Sequence, residues 1–364
     1  MQAIDSEKEL VQDIKAGRDA SLERALLVIC GLRAEGEIEE YVRRLDQIHK
    51  GFIEKLVAKS PLSLPILRQY MSASNAKALF EYLWNKKPKR CNNNFLLTDV
   101  IDAQLNSDIN QKVGSCVGLT SLYTVLGMRE GLDLTILVSD SHIANRLRVD
   151  ETVYNIDHTD PLGFDFDSSG KSFLEYPPIY LLANVMNSRG IEQERLGNLE
   201  KAEKDYIAAI EVNPRYANAY NNLGNVKLKY RDYPRAVANY SKAIQLHPAF
   251  VEAYYNRGIA RESMEDYDGA AEDYNKAIEI NSDYVDAYCR RGALKQILED
   301  HTGAARDFDR VIELDPGSRE KMLRFKERAV HFKSLRCKYQ NLKASKESGP
   351  RGLICPHSWS FPFA

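Results

Sequence analysis

One feature constrains this chain more than any other: part of it repeats itself every 34 residues without adjustment. Gly190, Gly224, Gly258 and Gly292 form one column, and Ala202, Ala236, Ala270 and Ala304 another. Tyr206, Tyr240, Tyr274 and Phe308 form a third. Ala209, Ala243, Ala277 and Val311 follow, then Ile210, Ile244, Ile278 and Ile312. Pro214, Pro248, Ser282 and Pro316 close the units. Within one unit, Ala236, Tyr240, Ala243 and Ile244 fall at i, i+4, i+7 and i+8, one face of a helix. The small columns let two helices approach, the aromatic fills the space beside them, and proline breaks the helix before the next unit. A self-similar period of this length predicts a stacked helical array whose neighbouring units share one core.

These columns resemble the tetratricopeptide repeat at its characteristic positions. The resemblance implies an all-α tetratricopeptide solenoid over 181–318, with a capping helix at 319–343 and a disordered tail at 344–364. It also implies a groove, lined by the first helix of each unit, that holds a protein or peptide. The candidate groove residues are Asn218, Asn222, Asn225, Asn256 and Arg290. Asparagine amides pair with a peptide backbone, and Arg takes a carboxylate through two parallel bonds. Chaperone-binding members of the family use a two-lysine carboxylate clamp. Here Asn221 and Asp286 stand where the lysines would be, which argues against a chaperone C-terminus as the ligand.

The remaining composition narrows the class. The chain has 364 residues, 44% hydrophobic and 28% charged, as in ordinary globular proteins. Its net charge of −2 offers no field for nucleic acid or membrane, and neither is an expected partner. No apolar run suggests a membrane span. The six cysteines are scattered with no Cys-x-x-Cys pair, which argues against a disulfide framework or a zinc site. A reducing cytoplasm is the expected compartment, with no cofactor. Residues 319–351 carry eleven Lys or Arg against three Asp or Glu, read as a solvated cap and tail.

Residues 1–130 read as mostly helical, with apolar spacing near 3.6 over Ala25–Leu32 and Tyr41–Leu56. A polar segment then ends in Gly114-Ser115-Cys116, and an apolar helix follows through Leu119, Leu122, Tyr123 and Leu126. After Gly131 the pattern alternates. Leu134–Val138 reads as a strand, and residues 143–149 and 152–157 as a hairpin turning at Asp150-Glu151. If Val149 faces Thr152, Asp157 faces Ala144 and lies diagonal to His142 on one face of the sheet. Residues 162–180 read as a loop leading into the repeats.

Cys116 therefore starts a helix, where aligned N–H groups favour a thiolate. His142 is placed to take and return its proton, and Asp157 to hold the imidazole in the needed tautomer. Gly114-Ser115-Cys116, then Ser141-His142, then Ile156-Asp157 resembles the transglutaminase-like fold of the papain superfamily. Asn94-Phe95-Leu96-Leu97 through Gly131-Leu132, followed by the repeats, is similar to its bacterial SirB-like branch. The resemblance implies an α+β transglutaminase-like (papain-type) domain over 1–180. It also implies amide hydrolysis or acyl transfer through a thioester, with Cys116, His142 and Asp157 catalytic. Gln111 and Trp84 are candidate upstream helpers, although packing or surface roles suit them better. A metal site from His142, Asp157, His158 and Asp160 is not expected, because consecutive strand residues cannot converge on one ion. The reading from a different class is a non-catalytic adaptor in which both halves bind.

Overall fold

A computed structural model describes residues 12–13, 16, 21–58, 72–86, 95–108, 112–139, 142–160, 162–167, 173–320 and 322–323. The chain divides into two compact units, Met1–Pro248 and Ala249–Ala364. The first takes in the α+β part and the first two repeats.

In the first unit α1 (Leu22–Ile29), α3 (Ser72–Lys86) and α4 (Leu97–Leu105) pack on α5 (Cys116–Arg129), and α2 (Glu35–Ala58) packs on α1, α3 and α4. Helix α5 is buried on nearly every side from Gly118 to Gly127, as its run of apolar and small residues requires. Gly131, at φ +72°, ends it: Leu132 N–H returns to Gly127 O and Gly131 N–H to Met128 O.

The sheet that follows has the order β3-β2-β1-β4: β1 (Asp133–Val138), β2 (Ile143–Val149), β3 (Thr152–Ile156) and β4 (Leu174–Tyr176). All pairings are antiparallel. Val149 pairs with Thr152 and Asn145 with Ile156, the register the alternation predicts. Strand β4 corrects the expectation of a loop over 162–180. It is a three-residue edge strand pairing Tyr176 with Ile136, too short to show a period, and it stops at Pro177.

The repeats in this unit are two helix pairs, α6 (Leu181–Arg195) with α7 (Leu199–Val212) and α8 (Ala217–Lys229) with α9 (Tyr233–Leu246). Leu181, Leu182, Val185, Val212, Tyr216 and Ala219 share one core with Leu26, Leu119 and Leu134. The start of the array is thus part of the α+β core.

The second unit pairs α10 (Val251–Glu262) with α11 (Tyr267–Ile280) and α12 (Val285–Ile297) with α13 (His301–Leu314). In all four pairs the glycine column faces the aromatic column. A Cβ on Gly190, Gly224 or Gly258 would stand 2.6 Å from the facing tyrosine ring, and one on Gly292 would stand 2.8 Å from Phe308. Of the expected capping helix, Arg319–Glu320 and Met322–Leu323 are described and helical, and Met322 packs against Phe308 and Val311. The rest of 319–343 and the tail at 344–364 lie outside the described residues.

Candidate functional site

The site is built where the buried helix starts and the sheet ends. Ser115, extended at φ −77° and ψ 173°, caps α5 and turns the chain so that Cys116 is its first residue. Ser115 makes no side-chain cap bond, and its Oγ is buried with no hydrogen-bond partner. The first-turn N–H groups of α5 are thereby left without a side-chain cap, pointing where an anion is favoured.

His142 sits one residue before β2 and Asp157 one residue after β3. His142 Nε2 lies 2.9 Å from Asp157 Oδ2, and both side chains are mostly buried. Nε2 has no straight hydrogen-bond partner, so the contact is a bent ion pair. The Asp157 carboxylate, followed by the Cys116 side chain, holds a proton on the imidazole and pushes its pKa up to about 9, against the pull of burial. Burial favours the neutral acid at Asp157. The contact with His142 and hydrogen bonds from Thr159 outweigh it and hold the carboxyl well below the usual range. Nε2 faces Asp157, so Nδ1 is the ring nitrogen turned away from that carboxylate.

Two features set Asp157 in place that the sequence reading did not single out. The Thr159 hydroxyl (2.6 Å) and N–H (2.8 Å) both donate to Asp157 Oδ1, and the Asp157 N–H donates to Gly163 O at 2.8 Å. The Asp157-His158-Thr159 spacing, in which an Asp accepts from the N–H two residues on, was the available signal. On the opposite side of the strand His158 is buried, with Nε2 2.8 Å from Asn145 Oδ1 and its ring 4.3 Å from that of Tyr123. This leaves His158 out of the site, as the alternation implies. Among the described residues no group of three or more His, Cys, Asp or Glu is placed to hold a metal.

Trp84, offered as a helper, is half-buried, its ring tilted against that of Phe80 at 6.2 Å. Gln111 lies outside the described residues.

The groove residues are half-buried on the first helices of their pairs. In the first unit Asn222 Nδ2 donates to Asn187 Oδ1 (3.0 Å), and Asn225 Oδ1 accepts from the Tyr240 hydroxyl (2.8 Å). Asn218 is on the same helix, α8. In the second unit Asn256 is on α10, and Arg290 lies 3.8 Å from Glu262. Asn225 and Arg290 thus already have partners inside their own units. Ion pairs tie the two helices of three repeats, at 2.6 Å each: Arg189–Asp205, Arg257–Asp273 and Arg291–Asp307. Each pair is 16 residues apart, a spacing visible in the sequence and missed there.

Paired helices with a glycine seated against an aromatic ring, repeated at a fixed period, define a helical-repeat protein. Residues 195–229 and 232–264 match the TPR repeat model, and residues 251–284 match the tetratricopeptide repeat model. The C-terminal part of the chain is made of tetratricopeptide repeats. The chain is 41% identical over 49 residues to human tetratricopeptide repeat protein 6, which is 14% of this chain and 9% of that protein. It thus spans about a tenth of that relative's length. Similar solved structures include MamA (residues 41 to the end) from Desulfovibrio magneticus RS-1, at 24% identity and TM-score 0.35, covering 37% of this chain and 76% of that one. Another is YrrB, described as a TPR protein with an unusual peptide-binding site, at 22% identity and TM-score 0.38, covering 42% and 78%. A third is the Arabidopsis OM64 TPR domain, at 27% identity and TM-score 0.32, covering 32% and 97%. No helix among the described residues is long and apolar enough to cross a membrane.

Proposed function

We propose that the chain is a cysteine-dependent amidase or acyl transferase acting on a protein or peptide docked by its repeats. The observation that carries this reading is the 2.9 Å approach of His142 to Asp157, with Cys116, whose side chain helps to raise the imidazole, at the start of a buried helix. The order of the elements, a helix from Cys116, then a strand that begins after His142 and one that ends before Asp157, also suits the transglutaminase-like resemblance.

In the reaction Cys116 gives its proton to His142 and its sulfur attacks an amide carbon. The carbonyl electrons move onto oxygen, where the N–H groups opening α5 face the charge. Collapse breaks the C–N bond, and the amine leaves with the proton from His142. Water, or a second amine, then releases the acyl group from the thioester. Asp157 keeps Nε2 protonated throughout, so that Nδ1 does the exchange.

The test is acylation by p-nitrophenyl acetate. A burst of one p-nitrophenolate per chain is expected, with acetyl found on Cys116. The burst should be lost in Cys116→Ser and slowed at least about 100-fold in His142→Ala. Acetyl spread over other residues, or a burst indifferent to His142, rejects the reading.

The second reading is a non-catalytic adaptor, favoured by the tetratricopeptide matches over 195–284. Under it both variants keep partner binding and no burst occurs. Asn221 and Asp286, in place of two clamp lysines, speak against a chaperone tail as the partner under either reading.

A further inference from the structure

Helix α5 carries two threonines behind the candidate nucleophile. Cys116, Thr120 and Thr124 fall at i, i+4 and i+8, so they share one face of the helix. Both threonines are buried, as are Asn145 on β2 and His158 just past β3. These four side chains form one run of hydrogen bonds. Asn145 Nδ2 donates to Thr124 Oγ1 at 2.9 Å and to Thr135 O at 3.3 Å. Because a backbone carbonyl only accepts, this fixes the amide orientation and turns Asn145 Oδ1 toward His158. His158 Nε2 therefore carries the proton and donates to that oxygen at 2.8 Å. The Thr124 hydroxyl donates to Thr120 O at 2.7 Å, and the Thr120 hydroxyl donates to Ile143 O at 3.3 Å.

This run meets the chain beside each member of the candidate triad. His158 follows Asp157, Ile143 follows His142, and Thr120 stands one turn beyond Cys116. Aromatic rings clamp the far end: the His158 ring lies 4.3 Å from that of Tyr123 and 5.9 Å from that of Phe80. The Tyr123 hydroxyl is itself held by Ala76 O at 2.8 Å. Apolar side chains would fill such a core without the cost of desolvating polar groups. A satisfied polar run instead fixes one arrangement where apolar packing tolerates several.

We propose that His158, Asn145, Thr124 and Thr120 are positioning residues that hold Asp157 and His142 in register with Cys116. His158 faces away from the reacting groups and acts through the backbone it shares with Asp157; Thr120 acts on His142 through Ile143 O. A small displacement of either neighbour is enough to separate groups that must exchange a proton. This rests on the cysteine reading above.

The test is the rate of Cys116 alkylation by iodoacetamide against pH, read by peptide mass mapping of the full chain. His158→Phe keeps a ring and removes the donor, while Thr124→Val removes the hydroxyl that links Asn145 to α5. His142→Ala is the reference. Both variants are expected to react at least about fivefold more slowly than wild type near pH 6, approaching His142→Ala. All rates should converge above about 9, where the thiolate forms without the imidazolium. A loss of packing alone would not confine the effect to the range in which His142 is charged. Wild-type profiles in both variants, or loss of the cooperative melt in both, overturn the inference and leave the cysteine reading standing. Superimposed profiles for wild type and His142→Ala overturn the two together.

Discussion

Asp157 is held from three sides: by His142, by the side chain and N–H of Thr159, and through its own N–H by Gly163 O. A Cβ at Gly163 would stand 2.2 Å from Asp157 O. Gly163→Ala is therefore expected to displace Asp157 and to slow Cys116 acylation about tenfold, at a cost to stability of roughly 1–3 kcal/mol. An unchanged burst rate would free Gly163 from this role. The ion pair also has a pH signature. His142 is raised, so its stabilisation is full below its unfolded value of about 6.5 and is lost as pH rises through about 9. Asp157 is depressed, so its contribution is full above about 4 and is lost as pH falls. The stability gap between wild type and His142→Gln should be widest between these limits, on the order of 2 kcal/mol, and should close on both sides. Urea unfolding at a series of pH values measures it.

At the scale of elements, the repeats carry their own tests. The glycine seat leaves no room for a methyl group: Gly258→Ala would drive Cβ into the Tyr274 ring, a destabilisation of roughly 1–3 kcal/mol in the second unit. Each first helix ends in the same paired return of N–H groups, at Gly197, Arg231, Glu265 and Glu299, all with φ between +61° and +80°. Only the first copy has the glycine this conformation favours. Glu265→Gly is expected to stabilise by about 0.5–1 kcal/mol and Gly197→Glu to destabilise by as much, read from denaturant midpoints. The period made the helix pairs and their facing columns legible before any coordinates, because one contact recurs four times. The turn strain was not legible, since Arg and Glu do not advertise a positive φ. Neither was β4, whose three residues show no alternation and whose pairing comes from a distant strand.

For the whole molecule, the helix pairs of the repeats fall in both compact units. The repeat signal begins near Leu181, but the first compact unit runs to Pro248, because Leu181 through Ala219 complete the core beneath α5. A chain ending at Pro248 should keep the reactivity of Cys116 within about threefold, while one ending at Tyr180 should lose its cooperative melt along with that reactivity. Equal loss in both would contradict this. The hairpin register and the meeting of His142 with Asp157 were legible, because strand alternation fixes which side chains share a face. The central claim is that His142 activates Cys116. Its most direct test is the rate of Cys116 alkylation by iodoacetamide between pH 5 and about 9, in wild type and His142→Ala. The account predicts a wild-type rate at least about tenfold above the variant at pH near 6, with the gap closing above about 9 as the imidazolium is lost. Two superimposed curves across that range would contradict it.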